Sequence, residues 1–535
     1  MQLKSFLKHF IVVLVLILLT SNCARKGRPN GGLKDSLAPV MVTANPPYKS
    51  INFNSNKIKL SFDEFVTLKN LNQQLVISPP LKYFPNISPQ GSPSKEISIK
   101  LTDTLKENTT YIFNFGNSIE DNNEGNILKS FNYVFSTGNY VDSLKTKGVI
   151  KDAFDNKFDK DISVLLFRVD TAFSDSIIYK QKPNYISNTI DSLFTITNIK
   201  EGKYLLIALK DVSNNYTFNP LEDKIGFYNR LIELPNDSII KEPIPLFKET
   251  PDFKIISVKE ISKGKILFDF QGDREDINIQ LLSDLPTNFK QKTKLDIKND
   301  SLYLWHSAIK NDSLVFKIKK DNYEVTKTVF LRSKTTDSLK INSNITRIID
   351  LKDTITLTSN NPVFKIDTTK IKFIDKDSLK VKFSYITKNN SIKVLFNKKY
   401  NTNYKLTLLP NALTDIFETK NDTLHYSFST KEPEDYGSIS LTINSNPSSS
   451  IILELITERD KKVIQKINVT KNNNVKFELI PPGRYIIRAI IDRNNNNKWD
   501  TGNYLNNLQP EKIIYHPTVF NIRANWHFPV VFTIN

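Results

Sequence analysis

The sequence predicts a nearly all-β chain built from several β-sandwiches, and three observations carry that prediction. Apolar residues alternate with polar ones, or run together, over strand lengths, as in Ile58-Lys59-Leu60-Ser61-Phe62, Tyr111-Ile112-Phe113-Asn114-Phe115 and Ile392-Lys393-Val394-Leu395-Phe396. Turn clusters such as Lys298-Asn299-Asp300 and Lys310-Asn311-Asp312 separate these runs at sandwich-like spacing. Long stretches with the 3.6-residue period of an amphipathic helix are missing.

The N-terminus has its own logic. Lys4 and Lys8 precede an apolar run over residues 10–19, too short to span a bilayer as a mature helix, and the run ends at Leu18-Leu19-Thr20-Ser21-Asn22-Cys23. Cys23 is the only cysteine among 535 residues, so no disulfide partner explains it. The pattern reads as a bacterial lipoprotein signal over residues 1–22 with acylation at Cys23, and two or three acyl chains give stable anchoring. Ala24 in place of Asp favours the outer membrane, and a basic, turn-rich tether over 23–37 without an acidic cluster favours its periplasmic face.

Composition is that of ordinary globular domains, with 39% apolar and 24% charged residues, and length alone suggests about three or four domains. The net charge of +18 comes from lysines scattered along the chain. Without an arginine stripe or stacking aromatics it does not read as a nucleic-acid surface.

Internal repeats organise the β pattern. Asn108-Thr109-Thr110-Tyr111 matches Asn401-Thr402-Asn403-Tyr404, and Tyr133-Val134-Phe135-Ser136-Thr137 matches Tyr426-Ser427-Phe428-Ser429-Thr430, both 293 residues apart. Glu201-Gly202-Lys203-Tyr204 with Asp211 matches Pro482-Gly483-Arg484-Tyr485 with Asp492, 281 residues apart. The expected organisation is therefore A (38–138), B (139–248), a middle β domain (249–340), A′ (341–432) and B′ (435–535), arranged in series.

Segment A resembles the S-layer-associated type of bacterial Ig-like domain. The likeness lies in Ala38-Pro39-Val40, Asn45-Pro46-Pro47, the strand ending Phe62 followed by Asp63-Glu64-Phe65, Leu105, Ser118-Ile119-Glu120-Asp121 and the exit Phe135-Ser136-Thr137-Gly138. With the opening Cys23-Ala24-Arg25-Lys26-Gly27, the chain resembles Bacteroidota outer-membrane lipoproteins that carry such a domain, which implies a spacer or interaction module. A′ keeps the Tyr404 and Phe428 strands without the Pro-rich opening. B and B′ resemble transthyretin or carboxypeptidase-regulatory sandwiches, in which Gly202 or Gly483 opens a strand that ends in a polar loop.

Those loops carry the candidate metal ligands. Asp492, Asn494, Asn496 and Asp500 stand at loop positions one, three, five and nine, the oxygen spacing of a Ca²⁺ loop, and Asp211, Asn215 and Glu222 are their counterparts in B. Asn497 and Asn503 replace the Gly and bidentate Glu of such a loop, and Asn and Asp also close turns without metal. Both readings stand at this point, and no other cofactor is expected.

A repeated Asp-Ser/Thr-apolar pattern resembles the O-glycosylation motif of Bacteroidota envelope proteins, with acceptors Thr104, Ser143, Ser192, Ser301, Ser338, Ser378 and Thr423. It also reads as a turn leading into a strand. His306, His425, His516 and His527 lie on separate segments, and nucleophile elbows, phosphate loops and paired-His helices are missing. The expectation is a non-catalytic scaffold or binding lipoprotein with an envelope protein partner, an outer-membrane β-barrel being the first candidate. The alternatives are an accessory subunit of an export, assembly or uptake complex, and an unrecognised carbohydrate-active enzyme. The aromatic stretch Trp499, Tyr504, Tyr515, Trp526 is either a contact surface or core.

Overall fold

The computed structural model describes residues 35–155, 157–296, 299–445, 450–469 and 474–534. The signal, Cys23 and most of the tether lie outside them, as does Lys298. The chain divides into two compact units, one up to Asp142 and one from Ser143. Both are β throughout: the described helices are the single turn Leu71–Gln74 and three short 3-10 turns. No described helix is long and apolar enough to cross a membrane.

In the first unit, Met41–Asn45, Lys57–Leu68, Ser94–Lys100 and Asn86–Ser88 form one sheet in that order, with Ile119–Asp121 also on Lys57–Leu68. Val76–Ser78, Thr110–Asn114 and Asn132–Ser136 form the other. Alternation along Lys57–Leu68 turns Ile58, Leu60 and Phe62 inward onto Ile97, Ile99, Phe113 and Phe135. Phe135 stacks between Phe53 (3.9 Å) and Tyr111 (5.5 Å), each such ring contributing about 2–3 kcal/mol by burial.

The second unit opens with the pattern Tyr185–Asn188, Ser163–Arg168, Gly202–Lys210, Lys224–Phe227, with Ile232–Leu234 beside Gly202–Lys210. It faces Leu193–Ile199, Leu144–Asp152 and Ile244–Leu246, the last two parallel. The end of the chain repeats this order. Val463–Val469, Ser450–Thr457, Gly483–Asp492 and Ile513–Tyr515, with Phe520–Ile522, face Asn474–Ile480, Gly437–Ser445 and His527–Ile534, the last two again parallel. Tyr204 and Tyr485 start equivalent strands and are buried in the two cores. Each hydroxyl donates to the carbonyl four residues earlier, of Lys200 (2.7 Å) or Pro481 (2.9 Å).

Segments A and A′ match at the same level. Ile341–Ser343, Ile355–Ser359, Ser391–Leu395 and Ser384–Lys388 form one sheet of A′, and Ile371–Asp375, Asn403–Leu408 and Leu424–Ser429 the other. Tyr111 pairs with Phe135 and Tyr404 with Phe428. The Tyr111 hydroxyl accepts the N–H of Lys106 at 2.9 Å and the Tyr404 hydroxyl that of Lys399 at 2.8 Å. Thr137 and Thr430 repeat one further pattern, donating to the carbonyls of Lys106 (2.7 Å) and Lys399 (2.6 Å). Between B and A′, Lys254–Ser262, Lys265–Gln271, Ser301–His306 and Gln291–Asp296 face Asn278–Leu281, Ser313–Lys320 and Tyr323–Phe330 around Phe268 and Phe316.

One expectation is corrected. The second unit is not a simple series of sandwiches, because B′ packs back onto B across more than 250 residues of sequence. Its loops present apolar rings that B meets with rings of its own, and burying both outweighs an open arrangement.

Candidate functional site

The residues singled out by their chemistry gather at the ends of the two long strands, Gly202–Lys210 and Gly483–Asp492. Asp492 is fully buried at the end of its strand. Its carboxylate accepts the main-chain N–H groups of Asn496 (3.1 Å) and Asn497 (2.9 Å). Asn495 and Asn497 take left-handed φ of 61° and 63°, which Asn tolerates better than most residues. Asp500 Oδ2 accepts the side-chain amides of Asn494 (2.6 Å) and Asn496 (2.7 Å).

Glu511, which the sequence pattern does not single out, closes the base of this loop. Its two oxygens accept the N–H of Arg493 (2.7 Å) and of Asp500 (3.1 Å). Burial, with Asp500 and Asp492 nearby, pushes its pKa up, against those two donors.

The loop in B is built alike. Asp211 accepts the N–H of Tyr216 at 2.6 Å, and Asn214 and Tyr216 are again left-handed, at 54° and 61°. Burial pushes the Asp211 pKa up, and Asp223 adds to the shift. The role of Glu511 falls to Asp223, fully buried, which accepts from Val212 (2.9 Å) and Asn219 (2.8 Å). The expected residue, Glu222, is exposed. Asn215 accepts from both the N–H (2.7 Å) and the hydroxyl (2.6 Å) of Thr217. A one-residue shift separates Glu222 from Asp223, and spacing alone does not reveal which side chain turns inward. Among the described residues no three His, Cys, Asp or Glu side chains converge as a metal site. In this geometry the loop carboxylates serve as acceptors for main-chain N–H groups, which shape the loops.

Most of the aromatic stretch packs inside the second unit. Trp499 meets Phe154 of B edge-on at 4.9 Å, and the Arg488 guanidinium lies 4.5 Å over the same ring. Arg488 is buried with Glu454 at 2.7 Å, and the Tyr515 hydroxyl donates to the Phe154 carbonyl at 2.8 Å. Tyr504 packs on Phe227 at 5.4 Å, donates through its hydroxyl to the Asp175 carbonyl (3.1 Å), and its N–H reaches Glu249. Trp499, Tyr504 and Tyr515 therefore join B′ to B. Of the four aromatics, only Trp526 is exposed, and that by about half.

The remaining candidates stay apart. His306 is buried, its Nδ1 2.9 Å from the Ser307 carbonyl, and burial holds its pKa down. His425 contacts Thr407, His527 contacts Ser438, and His516 contacts Thr518 and the Val531 carbonyl. Of the glycosylation acceptors, Thr104, Ser143, Ser338, Ser378 and Thr423 are exposed and Ser192 is half-buried. Ser301, 1% exposed at the start of a strand, is not presented by the folded chain.

With this geometry in place, comparison with known proteins gives one family match: residues 35–137 fit the bacterial Ig-like domain. Curated proteins give no match. Among solved structures, domains 5–6 of the S-layer protein SbsC align over 34% of this chain and all of theirs, at 14% identity and a TM-score of 0.17. The I9–I11 tandem of titin aligns over 53% of this chain and all of its own, at 8% and 0.13. BcpA, the major pilin subunit of Bacillus cereus, aligns over 74% of this chain and 99% of its own, at 9% and 0.15. At these TM-scores the solved structures add nothing about arrangement or activity.

Proposed function

We propose that this chain is a non-catalytic scaffold or binding lipoprotein, held at the outer membrane by acyl chains on Cys23, with its sandwiches on the periplasmic side and an envelope protein as partner. The observation that supports it most directly is the use made of the buried carboxylates. Asp492, Glu511, Asp211 and Asp223 each hold main-chain N–H groups of their own loops, a framework's use of ionisable groups. The bacterial Ig-like match over residues 35–137 agrees with such a role.

The reading is tested by affinity purification of the full chain from detergent-solubilised membranes, beside a Cys23→Ala variant. The expected results are a stoichiometric envelope protein with the wild type, and loss of palmitate label and membrane association in the variant. Absence of any stoichiometric partner, or hydrolytic activity that one carboxylate substitution abolishes, would overturn it.

A further inference from the structure

One sheet of B′ ends in the strand His527–Ile534, whose second edge has no strand partner among the described residues. In B, Ile225 and Phe247 exchange both main-chain hydrogen bonds at 2.8 Å, tying the edge of one sheet to the edge of the other. In B′ the corresponding edges are Ile513–Tyr515 and His527–Ile534, and the position equivalent to Phe247 is residue 535, outside the described residues. A groove of about 590 Å³ lies along the last strand, continuous through His516 and Val519 with a second of about 460 Å³.

The free edge of His527–Ile534 is defined by its own geometry. The strand pairs without a bulge to Gly437–Ser445 on one side only. His516 Nδ1 accepts the N–H of Thr518 at 3.1 Å, so its Nε2–H is the donor toward the Val531 carbonyl, a long 3.3 Å away. That carbonyl therefore points away from the neighbouring strand. Strand alternation directs the main chain of Pro529 and Thr533 outward with it. Pro529 fits such an edge because it brings no N–H. Val531 and Thr533 leave two outward donors, and His516 is the one described group reaching this edge.

The inward face is also incompletely covered. Phe532 and Ile534 are buried, but Phe528 and Val530 are only partly so, and Trp526 and Val531 stand about half exposed at the groove. The charged side chains lining the two grooves are Lys151, Lys512 and Arg523, all basic.

We propose that this edge is the docking site for an extended, acidic segment of a partner protein. The segment adds as a fourth strand, with alternate apolar side chains over Phe528 and Val530 and carboxylates toward Arg523 and Lys151. A second copy of the chain is the poorer occupant, since it brings the same basic rim against itself. The inference rests on the binding role proposed above and specifies its site.

The test uses the full chain in detergent and two dye-labelled nonapeptides, one alternating Val with Glu and one alternating Val with Lys, read by fluorescence anisotropy. The Val/Glu peptide should bind at least tenfold more tightly than the Val/Lys peptide. Val531→Pro, which deletes one outward donor and no bond to the neighbouring strand, should weaken it at least tenfold. The double variant Arg523→Glu with Lys151→Glu should do the same and favour the Val/Lys peptide, with unchanged melting as the folding control should the proline variant unfold.

Equal binding of the two peptides, or binding unaffected by the charge reversal, would overturn the proposal, as would a dimer of the chain that these variants dissolve. A co-purifying partner that survives both variants sinks the docking site while leaving the binding role standing. If no partner accompanies the wild type, the binding role fails, and the peptide titration still decides the groove.

Discussion

Asp121 shows how a single carboxylate fixes a local structure. One of its oxygens accepts the N–H groups of Asn123 and Glu124 (2.7 Å each) and Gly125 (3.3 Å), and the other that of Asn126 (2.7 Å). Asp415 does a related task in A′, accepting from Phe417 (3.0 Å) and Thr419 (2.8 Å). Burial pushes the Asp121 pKa up, but the four donors outweigh it and hold the group below its usual value. Its contribution to stability is then complete above about pH 3.8 and lost as pH falls through the lower folded value. Asp121→Ala should cost about 1–3 kcal/mol at pH 7. The difference from wild type should shrink toward pH 2 in urea titrations. Glu249 has the opposite sign: burial raises its pKa, partly offset by the Tyr504 N–H. Its contribution is complete below about pH 4.5 and falls away as pH rises through the raised folded value. Glu249→Gln keeps an acceptor for Tyr504 and should flatten that decline, seen as a smaller fall in the urea midpoint between pH 4.5 and 7.5.

At the scale of elements, the contact of B′ with B depends on how closely the loop after Asp500 approaches Phe247. A Cβ on Gly502 would lie 2.6 Å from the Leu508 carbonyl oxygen and 2.6 Å from the Phe247 ring, so a main-chain atom and a core ring would both have to move. Gly502→Ala should destabilise the second unit by about 1–3 kcal/mol. It should also raise hydrogen exchange in the segments around Tyr504 and Phe227, while the first unit melts unchanged. The loop residues were legible only in part. Asp492 and Asp211 follow from the repeated spacing, whereas Glu511 and Asp223 come from the far side of each loop and gain their role through the fold.

At the scale of the whole molecule, the association of B′ with B changes what a truncation does. Residues 435–535 look separable in sequence, yet their removal uncovers Phe154, Phe227 and Phe247, rings that B′ otherwise covers. Deletion of 435–535 should therefore lower the melting temperature of B and promote aggregation, measured by calorimetry and light scattering beside the full chain. A deletion that left B melting as in the intact protein would contradict this packing.

The all-β class and the duplication were decided by the sequence, because strand alternation and strand-opening tyrosines are local patterns that one chain carries in its order of residues. The Tyr111 and Tyr404 hydroxyl bonds, repeated 293 residues apart, show how far such a pattern reaches. Only the tertiary structure decided that Trp499, Tyr504 and Tyr515 face B rather than a partner, that Ser301 is hidden, and that B′ folds back against B. These depend on which surfaces meet across hundreds of residues, and that choice belongs to the packing of whole sandwiches, where apolar area is buried collectively and no single segment records its destination.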